Sequence, residues 1–154
     1  MSQLVGVDIG GSGLRLRTIV DGRLGEIRSA PGARVGVTGI ELDSLVTSVE
    51  LLVHDELEGR DGAGGNRGGI PDVLVWSMRG LLGLTDPQLV LATVVARLGA
   101  ARTVVCTDAL SSLVGALGTV RPGAVVAAGS GAVAFGTDFD RVWHRVDGWG
   151  HVLG

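Results

Sequence analysis

The chain has 154 residues, 45% of them apolar, with a net charge of −3 and a mean hydropathy of +0.42. That length and apolar content suit one buried-core domain, or a domain and a piece of another. Acidic and basic residues are interspersed, which excludes a nucleic-acid or membrane-surface partner; no apolar run is long enough to span a bilayer, and the single cysteine, Cys106, excludes disulfide scaffolding and cysteine metal clusters within the chain.

The first predicted element is the apolar run Val5 to Ile9, with Asp8 near its end. The turn Gly10-Gly11-Ser12-Gly13 follows, and Leu14 to Ile19 then alternates like a second strand. Glycines let a backbone come close to a ligand, and successive N–H groups in such a turn form a concave anion site. A carboxylate beside a phosphate makes sense if hydrated Mg²⁺ sits between them. The alternative is a plain hairpin. All thirteen basic residues are arginine, so the lysine of a P-loop is missing and Schiff-base chemistry is excluded. A dinucleotide site wants its glycine turn to open a helix, and here it opens a strand.

Asp21-Gly22 supplies the next turn. A third strand is expected over 24–28 and a loop over 31–36. Leu42, Leu45, Val46, Val49, Leu52 and Val53 recur at helical spacing, predicting a helix over 40–57 with Thr38 as its cap. His54 on that helix, beside acidic residues, reads as a solvated or satisfied histidine rather than a ligand. Residues 59–69 carry six glycines and read as a mobile loop. Asp72 to Trp76 is a predicted strand, and Ser77-Met78-Arg79-Gly80 a loop at its carboxyl end. Asp86-Pro87 starts a second helix with Leu91, Val94, Val95 and Leu98 as its apolar stripe.

Arg102 to Cys106 is a further strand, followed by Thr107-Asp108-Ala109 and a helix carrying Leu110, Leu113, Val114 and Leu117. Asp108 thus falls where a strand's carboxyl end meets a helix N-terminus, the edge at which open α/β sheets bind ligands. One reading is an N-cap, which stabilises by about 1 kcal/mol. The other is a general base that takes a proton from a substrate hydroxyl. Arg121-Pro122-Gly123 then punctuates the chain. A second glycine hairpin follows, with Ala124 to Ala128, the turn Gly129-Ser130-Gly131, and Ala132 to Gly136. Asp138 to Asp140 reads as a turn and Val142 to Val146 as a strand. Trp149 and His151, between glycines, are either a sugar-facing loop or ordinary packing.

The order β-β-β-α-β-α-β-α predicts an α/β fold with a mixed sheet. A boundary near 118–123 divides it into a domain over 1–118 and the opening strands of a second over 119–154. Ending before any helix covers those strands, the chain reads as truncated. With no basic, apolar leader at its start, the expected setting is cytoplasmic.

These residues carry a resemblance. The sequence resembles the actin-like ATPase and sugar-kinase superfamily, and more closely the N-acetylglucosamine kinase branch of the BadF/BadG/BcrA/BcrD-type ATPase family. Val7-Asp8-Ile9-Gly10-Gly11-Ser12 matches its first phosphate motif and Thr107-Asp108-Ala109 its catalytic-aspartate motif. Gly129-Ser130-Gly131-Ala132 matches its second phosphate motif, and Gly148-Trp149-Gly150-His151-Val152-Leu153-Gly154 its most specific loop. The resemblance implies a ribonuclease H-like actin-type ATPase domain and a kinase that moves the γ-phosphate of ATP to the 6-hydroxyl of N-acetylglucosamine or a related amino sugar. It implies that Asp8 holds Mg²⁺ through water and that Gly10, Gly11 and Ser12 face the β- and γ-phosphates. Gly129, Ser130 and Gly131 would grip phosphate from the second domain. Asp108 would be the base. Ser77, Thr107 and Gly148, Trp149, Gly150 and His151 would lie on the sugar side.

The sequence departs from the family pattern in four places. Ala132 stands where serine is usual, Asp147 where glycine is common, and Ser77 to Gly80 is bulkier than the usual loop. The chain also stops before the family's Asp-Glu-Gly-Ser segment, so these residues alone are expected not to catalyse. The expected partner is a small sugar, with a homodimer as a further expectation. Two other readings stay open. One is an activator ATPase of a radical dehydratase or reductase, whose cluster cysteine would fall within 123–128, where this chain has none. The other is a nucleotide- or sugar-binding sensor without turnover.

Overall fold

A computed structural model describes residues 2–36, 39–58, 69–84, 86–128 and 132–147. The chain divides into two compact units, residues 1–106 and 107–154.

In the first unit, β1 (Gln3–Ile9) and β2 (Leu14–Val20) form the predicted antiparallel hairpin, with Ile9 opposite Leu14 and Asp8 opposite Arg15. Asp21 and Gly22 both have positive φ, 48° and 77°, the conformation of a two-residue turn whose twist suits flanking strands. The expected third strand is interrupted. In its place two short strands, β3 (Arg23–Leu24) and β4 (Arg28–Ala30), pair with β2. Between them the Gly25 N–H donates to Thr18 O, while Arg17 Nε donates to Gly25 O, so this stretch is tied to β2 outside the regular ladder. The expected loop over 31–36 ends in β5 (Val35–Gly36), which pairs with β6 (Gly39–Ile40). Thr38, the expected cap, lies outside the described residues, as do 59–68 of the glycine-rich loop.

Helix α1 (Leu42–Glu58) buries Leu45, Val46, Val49, Val53 and Leu57, the spacing that the sequence predicts. Strand β7 (Val73–Met78) runs parallel to β1 and extends two residues further than expected. The pairing explains it: Ser77 lies opposite Asp8 and Met78 opposite Ile9, and Arg79 N–H still donates to Ile9 O. Helix α2 (Pro87–Leu98) starts at Asp86, whose side chain accepts the Gln88 N–H, and ends on Gly99 at φ 62°. Its buried stripe is Val90, Val94 and Leu98, while Val95 is exposed. Val94 and Leu98 are buried as expected, while Val90 takes the place expected for Leu91, because apolar residues fill both flanks of this helix and only packing selects between them. Strand β8 (Arg102–Thr107) completes the sheet order β3-β2-β1-β7-β8.

One face of this sheet carries Val5, Val7 and Ile9, Leu14 and Leu16, and Leu74, Trp76 and Met78, all in one core with α1 and α2. Burial of these side chains drives the unit together. The other face of the hairpin presents Gly6, Asp8, Arg15 and Arg17, all exposed. Period-2 alternation makes the sorting automatic.

In the second unit, α3 (Asp108–Leu117) packs on β9 (Gly123–Ala128), which pairs with β10 (Ala132–Thr137), which pairs with β11 (Trp143–Asp147). A Cβ on Gly123 would sit 2.7 Å from Leu117 Cδ1, so glycine lets the helix approach. Trp143 meets Phe135 and Phe139 at ring separations of 6.2 and 5.8 Å. Asp138 accepts backbone N–H groups of Asp140, Arg141 and Val142 and closes the β10–β11 turn.

Candidate functional site

The β1–β2 turn is held from within by the Gly10 N–H, which donates to Gly13 O at 2.9 Å. Gly11 and Ser12 are exposed, and their N–H groups have no hydrogen-bond partner among the described residues. A Cβ placed on Gly11 would meet nothing within 4 Å, so the turn opens onto free space. On its other side it is tightly covered. A Cβ on Gly32 would lie 2.4 Å from Gly10 O, 2.5 Å from Gly13 N and 2.9 Å from Gly11 O. Ala33 N–H donates to Gly10 O at 3.2 Å. Sequence reading missed this contact, since Pro31-Gly32 signals only a turn and its partner is twenty residues away.

Asp8 stands one residue before the end of β1 with its side chain exposed, within the same hairpin as the open turn. An exposed carboxylate and two unpartnered N–H donors form the donor set that a magnesium-bound phosphate needs. A magnesium-bound phosphate group therefore fits these residues. Ser77 is 3% exposed and lies on β7, not in a loop as expected. A cavity of about 100 Å³ is lined by Gly32, Arg34, Glu41, Ser44 and Ser48 among others.

Thr107 and Asp108 begin the second unit. Thr107 is the N-cap of α3: its hydroxyl accepts the Leu110 N–H at 3.3 Å. Asp108 is the first helical residue, and its Oδ1 accepts the Ala109 N–H at 2.9 Å. The choice left open by the sequence is thereby decided against Asp108 as the N-cap, because the smaller Thr107 hydroxyl sits one residue earlier with the extended backbone a cap requires. Asp108 is half-buried at a helix N-terminus, where the backbone dipole favours a carboxylate. Gly129, Ser130, Gly131, Gly148, Trp149, Gly150 and His151 lie outside the described residues. Cys106 is buried, and His54 is exposed. Among the described residues no helix is long and apolar enough to cross a membrane, and no group of three or more His, Cys, Asp and Glu side chains gathers as a metal site.

No protein-family model matches the chain, and no curated protein matches it in sequence. Its fold does match solved structures. A Chromobacterium violaceum protein assigned as an N-acetylglucosamine kinase superposes with a TM-score of 0.64 at 23% identity, over 98% of this chain and 50% of its own. The ROK hexokinase of Thermus thermophilus gives 0.59 at 14% identity, over 88% and 45%. The ethanolamine utilization protein EutJ of Carboxydothermus hydrogenoformans gives 0.58 at 19%, over 95% and 51%. The fold is therefore the mixed α/β fold of the actin-like ATPases and sugar kinases. The chain spans about half the length of the solved structures it matches.

Proposed function

We propose that this chain belongs to an ATP-dependent sugar kinase that phosphorylates the 6-hydroxyl of N-acetylglucosamine or a related amino sugar, with residues 1–118 forming the first actin-like domain and 119–154 opening the second. One observation carries the reading. An exposed Asp8 adjoins a turn whose Gly11 and Ser12 N–H groups have no partner among the described residues, in a fold shared with carbohydrate kinases.

In this reading Asp8 holds Mg²⁺ through water, and Gly11 and Ser12 donate to the β- and γ-phosphates. MgATP supplies the electrophilic γ-phosphorus and the leaving ADP. Asp108 accepts the proton of the sugar 6-hydroxyl as that oxygen bonds to the γ-phosphorus and the bond to the ADP oxygen breaks. Positioning and charge stabilisation do most of the catalysis in phosphoryl transfer, which suits a site built from backbone donors and carboxylates without lysine. Ser77, buried on β7 opposite Asp8, lies on the sugar side in this reading. Thr107 caps the helix that carries the base. Gly129 to Gly131 take the phosphates from the second domain, and Gly148 to His151 the sugar.

The test is ADP release from MgATP with a panel of amino sugars and hexoses, for the full-length kinase to which this chain is proposed to belong and its Asp108→Asn variant. Turnover with an amino sugar that falls by about a hundredfold or more in the variant is expected. Turnover with no sugar, or an Asp108→Asn variant at the wild-type rate, overturns the proposal.

A further inference from the structure

We infer that the segment Pro31–Ala33 is a strap that aims the phosphate turn, and that Gly32 is its positioning residue. The inference rests on the reading of this turn as the phosphate site. The strap is anchored at both ends. Before it, β4 pairs with β2, with Ala30 opposite Leu14, the residue that follows the turn. After it, Arg34 O accepts the Glu41 N–H at 3.0 Å, just ahead of α1. Between these anchors the strap presses on three of the four turn residues, and every atom that a Gly32 Cβ would strike is backbone.

The consequence for the donors follows from peptide geometry. In a trans peptide the C=O of one residue and the N–H of the next point in opposite directions. Every peptide bond described is trans. Ala33 N–H takes Gly10 O, and Gly11 O also faces Gly32. The N–H groups of Gly11 and Ser12, which belong to the same two peptide units, are therefore turned away from the strap. That is the open side of the turn, where a Cβ on Gly11 would find nothing within 4 Å. The strap thus fixes two carbonyls so that two donors converge before a ligand arrives. Such preorganisation spares the reorganisation that weakens flexible anion sites. Any side chain at position 32 must push either the strap or the turn out of place.

Two variants test this. Gly32→Ala adds the forbidden Cβ. Ala33→Pro removes the N–H that holds Gly10 O and adds nothing at position 32. Nucleotide-free protein is examined first, by exchange of the Gly10 amide, which is protected by Gly13 O. Exchange faster by about tenfold in either folded variant is expected, with the β1 amides of Val5 and Val7 unchanged. The affinity for MgATP should fall by about tenfold or more, while the dissociation constant for the sugar stays within about twofold. Wild-type Gly10 exchange in both folded variants overturns the strap. So does a loss in which β1 exchange and sugar binding deteriorate equally, because that is a general structural defect. If the wild type binds no MgATP, the phosphate reading fails instead, and Gly10 exchange alone decides the strap.

Discussion

Thr18 sits at the centre of the β1–β2 hairpin, opposite Val5, with its side chain fully buried on the face that packs under α1 and α2. Its hydroxyl has no hydrogen-bond partner among the described residues. An unpaired hydroxyl in an apolar core costs about 1–3 kcal/mol of desolvation. Thr18→Val replaces that hydroxyl by a methyl of similar size and keeps the β-branch that suits a strand. The variant should therefore be more stable by about 1–2 kcal/mol, which raises Tm by about 3–6 °C for a chain of this size. Thr18→Ala removes the same hydroxyl but leaves a void, and should fall about 2–3 kcal/mol below the valine variant. Urea titrations followed by the emission of Trp76, which is fully buried in the same core, read this unit when Trp143 and Trp149 are replaced by phenylalanine in every variant compared. A valine variant no more stable than wild type would refute the reasoning, because the hydroxyl would then be satisfied in solution.

Other consequences follow from particular contacts. Asp86→Ala deletes the cap on the Gln88 N–H and should cost about 1 kcal/mol, with Asp86→Asn close to wild type in the same titration. Gly11→Ala should fold normally, since its Cβ meets nothing, yet bind MgATP about tenfold more weakly because that Cβ projects from the phosphate turn; unchanged affinity by calorimetry would count against the site. The three N–H groups that Asp138 accepts, foremost that of Asp140, hold its carboxyl below the usual range. A depressed carboxylate stabilises fully above the ordinary pKa of about 3.9 and loses that contribution as pH falls through the lower folded value. The Asp140, Arg141 and Val142 amide resonances should hold their positions below pH 4 and move only in stronger acid, with no such transition in Asp138→Asn.

The hairpin, the strand at β7, the three helices and the position of Asp108 were legible because each rests on local chemistry. Alternation sorts Val5, Val7 and Ile9 from Gly6 and Asp8 without reference to any neighbour. The helical stripe of α1 is written in its spacing. What was misread depends on neighbours. Val90 rather than Leu91 lines the core because both flanks of α2 are apolar and the sheet chooses between them. Ser77 joins β7 because β1 supplies a ladder for it. The third strand breaks because Arg17 and Thr18 take both polar groups of Gly25.

The sequence by itself determined the glycine turn, the carboxylates at Asp8 and Asp108, and the alternation of strands and helices, since these follow from residue type and period. Only the tertiary structure decided that Thr107 caps α3, so that Asp108 stands inside the helix, and that Gly32 seats against the phosphate turn. Capping depends on which backbone turns helical first, and the seating of Gly32 joins segments twenty residues apart. Neither distance nor dihedral is a property of a residue alone.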